Sequence, residues 1–202
     1  MQRNPDFTTE QREALIEMVQ ALRQTLELSA TLNADPDTLR ALAAQARALN
    51  DAMAPHTGNK VMEHFNAQPG EDLNALLPYS PVTGRFHAMA APLELRREGE
   101  LLIGDVTLGK IYEGPPGCVH GAWVAAIYDQ ILAFAGMVNG TGGPTANLKV
   151  DFLKPTPLFK PLRFETRVDT IEDRKVFVSG QCVSDGVVVS KCTGLFIHYQ
   201  PR

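Results

Sequence analysis

His120, Gly121 and Asp129 are the residues whose types and spacing invite chemistry. They follow Gly114-Pro115-Pro116-Gly117-Cys118-Val119, a stiff loop in which Pro115 and Pro116 fix φ and Gly117 lets the backbone turn. A helix begins behind that loop, and a helix N-terminus offers unpaired N–H groups and the positive end of a dipole. Gly121 and Ala122 could each donate a backbone N–H to an oxygen that develops negative charge. One such donor is worth about 3–4 kcal/mol of transition-state stabilisation in acyl transfer. Asp129 sits mid-helix with no charged residue within a turn on either side. A lone carboxylate in an apolar helix is costly unless it is paired, and it suits a general base or a nucleophile.

Geometry constrains this set. His120 and Asp129 are nine residues apart, which on one helix separates them by about 13 Å along the axis and about half a turn around it. One helix cannot bring both to one carbon. If both act on one substrate, Asp129 must meet the His120–Ala122 end of a second copy, which implies a homodimer with two antiparallel helices and two equivalent interface sites. The plainer readings are that His120 caps the helix or satisfies a loop carbonyl, and that Asp129 is a structural acid bonded to backbone. Cys118 has a rival reading as a thiolate nucleophile near a helix N-terminus. Its side chain diverges from that of His120 and no orienting acid is evident, so it reads as loop packing.

The elements that must position these residues are legible. Ala122, Ala125, Ala126, Asp129, Ala133 and Gly136 recur at helical spacing, while Trp123, Ile127, Leu132 and Phe134 occupy the other face. A helix apolar nearly all round is a buried one, here expected to about Val138. Asn139-Gly140-Thr141-Gly142-Gly143 reads as a flexible connection to a strand that starts at Thr145. Leu162, Phe164, Thr166 and Val168 alternate with Arg163, Glu165, Arg167 and Asp169, so that strand has one wet face. Val176–Val183 and Val187–Tyr199 flank the hairpin signal Asp185-Gly186. Upstream, Leu93 and Leu95 start a strand, Arg96-Arg97-Glu98-Gly99 reads as a turn, and Leu102, Gly104, Val106 and Leu108 continue as a second strand. One long apolar helix with five or six mainly antiparallel strands is an α+β pattern.

Residues 1–60 differ in character. Thr8 with Gln11 reads as a capping box, and Leu15, Met18, Val19, Leu22, Leu26 and Ala30 mark one helix face. Asp35-Pro36 starts a second helix with the stripe Leu39, Leu42, Ala46, Leu49 and Met53. This is a helical hairpin whose apolar stripes should pack on the main domain or a sister subunit. A lid or membrane-surface role is the alternative, weakened by a polar face that mixes Glu and Arg. Residues 61–84 read as an irregular linker, with a short helix at Val61-Met62-Glu63-His64-Phe65. His64 and His87 have no evident partners.

The chain has 202 residues, a formal net charge of −4 and three cysteines, Cys118, Cys182 and Cys192. That balance argues against nucleic acid, and three cysteines without CxxC spacing suggest a reducing cytoplasm and no metal site. No apolar run looks long enough to span a bilayer, and Met1–Asp6 lacks a signal peptide's apolar core.

The stretch resembles the hotdog-fold acyl-CoA thioesterases of the phenylacetate-pathway and thioesterase-superfamily branch. Their signature is a Gly/Pro loop, His-Gly-Gly, an acid nine positions after the His, and a Thr sixteen positions after the acid. Here these are Gly117-Cys118-Val119-His120-Gly121-Ala122, Asp129 and Thr145, the last followed by Ala146-Asn147-Leu148. The resemblance covers roughly residues 85–202 and implies a curved antiparallel sheet around a long central helix. It implies that the Gly121 N–H polarises the thioester carbonyl and that Asp129 of the other subunit activates water or attacks. Thr145 would hold the water, with His120 part of the catalytic set. Val119, Ala122, Trp123 and Asn147 would contact the substrate. Ala122 replaces the second Gly of the motif, and with Trp123 it should reshape the acyl pocket.

The expected activity is hydrolysis of acyl-CoA to free acid and CoA in a cytoplasmic homodimer or homotetramer. No cofactor is expected beyond the CoA of the substrate, and neither nucleic acid nor membrane is expected as a partner. Two alternatives stand. A hydratase or dehydratase of the same fold needs a His close to the acid, and none follows Asp129 before His198. A non-catalytic acyl-CoA-binding or regulatory protein would use the same pocket without turnover.

Overall fold

The computed structural model describes residues 7–58 and 72–198. The short helix expected at residues 61–65 lies outside these.

Among the described residues six strands form one sheet. They are β1 (Glu94–Glu98), β2 (Leu101–Thr107), β3 (Thr145–Phe152), β4 (Pro161–Glu172), β5 (Lys175–Ser184) and β6 (Val187–Ile197). Their order is β1-β2-β4-β5-β6-β3, every neighbouring pair antiparallel. The alternation expected in β4 is present: Leu162, Phe164 and Thr166 are buried, while Arg163, Glu165 and Arg167 face out in a ladder of ion pairs. Asp185 and Gly186 both take positive φ, 48° and 74°, and close the β5–β6 hairpin as their residue types require. The turn expected at Arg96–Gly99 falls two residues later. β1 continues through Glu98, and the reversal is made at Gly99, where φ is 60° and only a glycine is unstrained.

The central helix, α3 (Gly121–Val138), packs against β2, β3, β4, β5 and β6. Val124, Ile127, Tyr128, Ile131, Leu132, Phe134 and Ala135 are buried against Leu162, Phe164, Val176, Val178, Cys182, Cys192 and Phe196. The expectation of a helix buried all round holds for one face only. Ala122 is exposed, and Ala125, Ala126, Asp129 and Gln130 are half-buried. Among the described residues one helix does have the length and composition of a membrane span, α3 itself, whose 18 residues have a mean hydropathy of 1.4. The sheet supplies the apolar surroundings instead.

The connection after α3 is tied down where a flexible one was expected. Asn139 Nδ2 donates to the Ala135 carbonyl at 2.8 Å, and Thr141 N and Oγ1 both donate to the Gly136 carbonyl. A Cβ on Gly143 would lie 1.9 Å from the Ile197 carbonyl oxygen, so only glycine lets β3 enter beside β6 there.

Among the described residues two α-helices precede the sheet. α1 (Thr9–Ser29) starts with the capping box expected at Thr8 and Gln11, both reciprocal bonds present. α2 (Pro36–Met53) is capped by Asp35, whose carboxylate accepts from the N–H groups of Asp37 and Thr38. α1 docks on the body through buried Val19 and through Arg23 and Glu27. α2 has no buried residue and makes no packing layer with α1 or the sheet. The pair is thus not a packed hairpin: the α1 stripe has found the main domain, while Leu39, Leu42 and Leu49 of α2 remain 40%, 41% and 42% exposed. Residues 72–91 close one end of the core with buried Leu76, Ala90 and Ala91, and the Leu95 N–H donates to Asn74 Oδ1 at 2.9 Å.

Candidate active site

The loop before α3 is braced from both sides. Gly114 N donates to the Cys118 carbonyl and Cys118 N to the Pro115 carbonyl, each at 2.9 Å. Gly117, at φ 72°, donates its N–H to Glu113 Oε1 at 2.7 Å. The segment 156–158 clamps the other edge: Val119 N donates to the Thr156 carbonyl at 2.8 Å and Leu158 N to the Gly117 carbonyl at 3.1 Å. Val119 is 4% exposed, so it belongs to this scaffold and the core rather than to an open substrate surface. His120 N donates to the Tyr112 carbonyl at 2.8 Å, locking the residue on which the helix starts.

His120 is the N-cap of α3. Its Nδ1 accepts the Ala122 N–H at 3.0 Å, and its carbonyl accepts from Trp123 and Val124. The imidazole is therefore engaged as a cap, and the Ala122 N–H, expected as a second oxyanion donor, is already taken. Among the described residues no acceptor takes the Gly121 N–H. The first turn of α3 thus keeps one backbone donor open, at the position with no side chain over it. The Phe152 ring lies beside it, 3.3 Å from where a Cβ of residue 121 would stand, and Phe152 is 55% exposed.

Asp129 lies two turns further on, on the open face of α3. Thr145 Oγ1 donates to Asp129 Oδ1 at 2.7 Å. This bond joins the two residues that sequence spacing singled out, across sixteen positions and two elements. It orients the carboxylate, and among the described residues no donor takes Oδ2. A β-bulge between Thr145 and Asn147 makes the arrangement possible. Thr145 pairs with Phe196 on the helix side of the sheet, whereas Asn147 pairs with Leu195 and joins Lys149 and Asp151 on the outer face. Asn147, expected at the substrate, therefore points away from Asp129 within the chain. Trp123 stacks edge-on against Tyr112, centroids 5.0 Å apart at 84°, and so forms part of the wall behind the loop.

Gly121 and Asp129 are eight residues apart on one straight helix, hence about 12 Å along its axis. Both lie on an open surface, with Ala122, Thr145 and most of β3 exposed. Grooves of about 530, 300 and 500 Å³ lie on the outer sheet face and beside α1, lined by none of Gly121, Asp129 or Thr145. The buried thiols of Cys182 and Cys192 are inert, pushed up to about 12 by burial. No group of three or more His, Cys, Asp or Glu among the described residues could hold a metal ion.

Sequence reasoning missed Tyr112, Thr156 and Glu27. Their contributions run through backbone groups of residues distant in the chain, and no local spacing reports such contacts. An apolar residue ending a strand, as Phe152 does, gives no hint of which helix end it will cover.

Residues 116–190 match the family profile of the thioesterase superfamily. A stretch of 96 residues is 42% identical to acyl-coenzyme A thioesterase THEM4 of Xenopus laevis, covering 46% of this chain and 43% of that protein. The matched part thus spans less than half of that curated relative. The crystal structure of a thioesterase superfamily protein designated RHA08564 is similar over nearly the whole chain. It covers 96% of this chain and 97% of its own, with a TM-score of 0.80 and 26% identity. The fold also resembles that of smu.793 from Streptococcus mutans, solved bound to acetyl CoA, at a TM-score of 0.51 and 18% identity over 55% of this chain and 90% of that one. Profile, relatives and six-stranded sheet around α3 agree: the fold is that of the hotdog thioesterases, and residues 116–190 carry the match to the thioesterase superfamily.

Proposed function

We propose that this protein hydrolyses acyl-CoA thioesters to a free acid and CoA. The observation that carries the reading is the Thr145–Asp129 hydrogen bond of 2.7 Å on the open face of a helix whose first N–H has no acceptor among the described residues. The relatives named as acyl-coenzyme A thioesterases support the substrate class.

The thioester carbonyl oxygen accepts the Gly121 N–H, which strengthens as negative charge develops on that oxygen. Asp129 of the partner subunit takes a proton from water while Thr145 fixes its carboxylate. The water oxygen bonds to the carbonyl carbon, the C–S bond breaks, and the proton passes to the departing CoA sulfur. Attack by the carboxylate itself expels the CoA thiolate and reaches the same products through an anhydride; where water opens that anhydride at the aspartyl carbonyl, ¹⁸O from labelled water enters Asp129. A shared site is favoured by the separation of about 12 Å between Gly121 and Asp129 on one rigid helix. β3 favours it too, as an unpaired sheet edge running beside them.

The test is thiol release from short, long and aryl acyl-CoAs, wild type beside Asp129→Ala. Release that the variant loses supports the reading; undiminished release removes Asp129 from the mechanism. If wild type releases no thiol but retains acyl-CoA intact, the domain is a binding protein. Gly121→Pro deletes the donor while keeping the helix start, because proline suits the first helical position and His120 already has the extended ψ of 131° that a following proline requires; the exposed Phe152 ring, 3.3 Å from the new Cβ, has only to swing aside. Mixing Gly121→Pro with Asp129→Ala restores activity through mixed dimers that hold one intact site. No restoration despite demonstrated subunit exchange refutes a shared site.

A further inference from the structure

The 3-10 turn Lys110–Tyr112 begins at Gly109, which has no side chain to cap it. The cap comes from α1, more than eighty residues earlier. Glu27 Oε1 accepts the Lys110 N–H at 2.8 Å and Oε2 accepts the Ile111 N–H at 3.3 Å. A Cβ on Gly109 would lie 2.5 Å from Glu27 Oε1, so the glycine is what admits the carboxylate. Lys110 Nζ donates to Thr31 Oγ1 at 2.7 Å just beyond the end of α1. One turn earlier on the same face, Arg23 donates to the carbonyls of His87 and Ala88. Tyr112 joins the two anchor points, its hydroxyl reaching the carbonyls of Met89 and Ala90 at 3.0 and 2.9 Å. From there the path to the chemistry is short. The Tyr112 carbonyl accepts the His120 N–H at 2.8 Å, and the next residue is Gly121.

We infer that Glu27 is a positioning residue for hydrolysis: by capping the 110–112 turn, α1 holds His120 and the Gly121 N–H where the thioester oxygen needs them. The inference rests on the thioesterase reading above. It makes α1 a brace behind the catalytic loop and not a lid over the site. A carboxylate accepting two backbone N–H groups is a strong, charge-assisted cap. Its loss frees the turn and, one hydrogen bond further on, the start of α3.

The test uses the full chain with Glu27→Ala and Glu27→Gln. The steady-state substrate is whichever acyl-CoA the wild type turns over, and the temperature is well below each variant's melting point. A displacement of about 1 Å in a positioned group can cost up to a hundredfold in rate. Glu27→Ala should therefore lower kcat about tenfold to a hundredfold with KM little changed. Glu27→Gln keeps one acceptor for the Lys110 N–H and should recover part of the loss. Amide exchange followed by NMR should quicken at Lys110, Ile111 and His120 together in Glu27→Ala. A lower melting temperature with kcat unchanged, or faster exchange confined to Lys110 and Ile111, overturns the inference. If wild type releases no thiol from any acyl-CoA, it is the thioesterase reading that fails, and joint or separate exchange at His120 still decides whether Glu27 positions that residue.

Discussion

The two faces of α3 differ in what they do for the molecule. The inner face, with Val124, Ile127, Tyr128, Ile131, Leu132 and Ala135, is sealed against the sheet. The outer face carries Gly121, Ala122, Asp129 and, across from it, Thr145, and remains open. The inner face holds the groups whose removal costs stability, because close-packed interiors cannot relax into a void. The outer face holds the groups to which the proposed hydrolysis assigns the chemistry, and their removal should cost turnover and little stability. A helix built this way can keep a carboxylate beside an apolar core because the carboxylate never enters it.

That contrast can be broken at several points. Asp129→Ala should lower turnover by about a hundredfold to ten-thousandfold, the range of a general base. Its melting temperature should stay near that of the wild type, since only an exposed hydrogen bond is lost; a large drop would mean that the outer face is structural too. Ile131→Ala, at a position 0% exposed, should do the reverse. It should cost about 2–5 kcal/mol in chemical denaturation, while turnover per folded molecule holds. Tyr128→Phe probes the single polar anchor of the inner face. The Tyr128 hydroxyl lies 2.9 Å from Ser190 Oγ and donates to the Ser190 carbonyl at 3.1 Å. Losing it should cost about 1 kcal/mol, again with turnover preserved, and a fall in kcat would show that the inner network reaches the site.

The smallest effect belongs to α2. Leu42→Gln keeps helix propensity and removes an exposed apolar group, so it should change stability by no more than about 0.5 kcal/mol. A larger loss that grows on dilution would show that a second copy covers the stripe.

α1 and α2 look alike as sequences: each has a sound N-cap and an apolar stripe at helical spacing. Amphipathic pattern alone distinguishes neither their partners nor whether partners exist. The difference lies in Arg23 and Glu27, which read as ordinary surface charges until the structure brings the 87–88 and 110–111 backbones to them. The turn misplaced by two residues at Arg96–Gly99 has a similar origin. Three charged residues in a row look like a turn, yet Arg96 sits in an edge strand, where it pairs with Glu98 and Asp105.

What the sequence determined by itself was local. Prolines, glycines and small polar caps restrict backbone angles within three or four residues. The loop before α3, the start of α3 at Gly121, the caps of α1 and α2 and the Asp185-Gly186 hairpin therefore followed from residue types alone. So did the separation of Gly121 from Asp129, since helix rise is a constant. Only the tertiary structure decided which polar groups meet. It brought Thr145 to Asp129 through a bulge that turned Asn147 to the far face, committed the Ala122 N–H to His120, and docked α1 while leaving α2 bare. Those outcomes depend on register and on contacts between segments far apart in the chain, where the preference of a single residue for its neighbours carries no information.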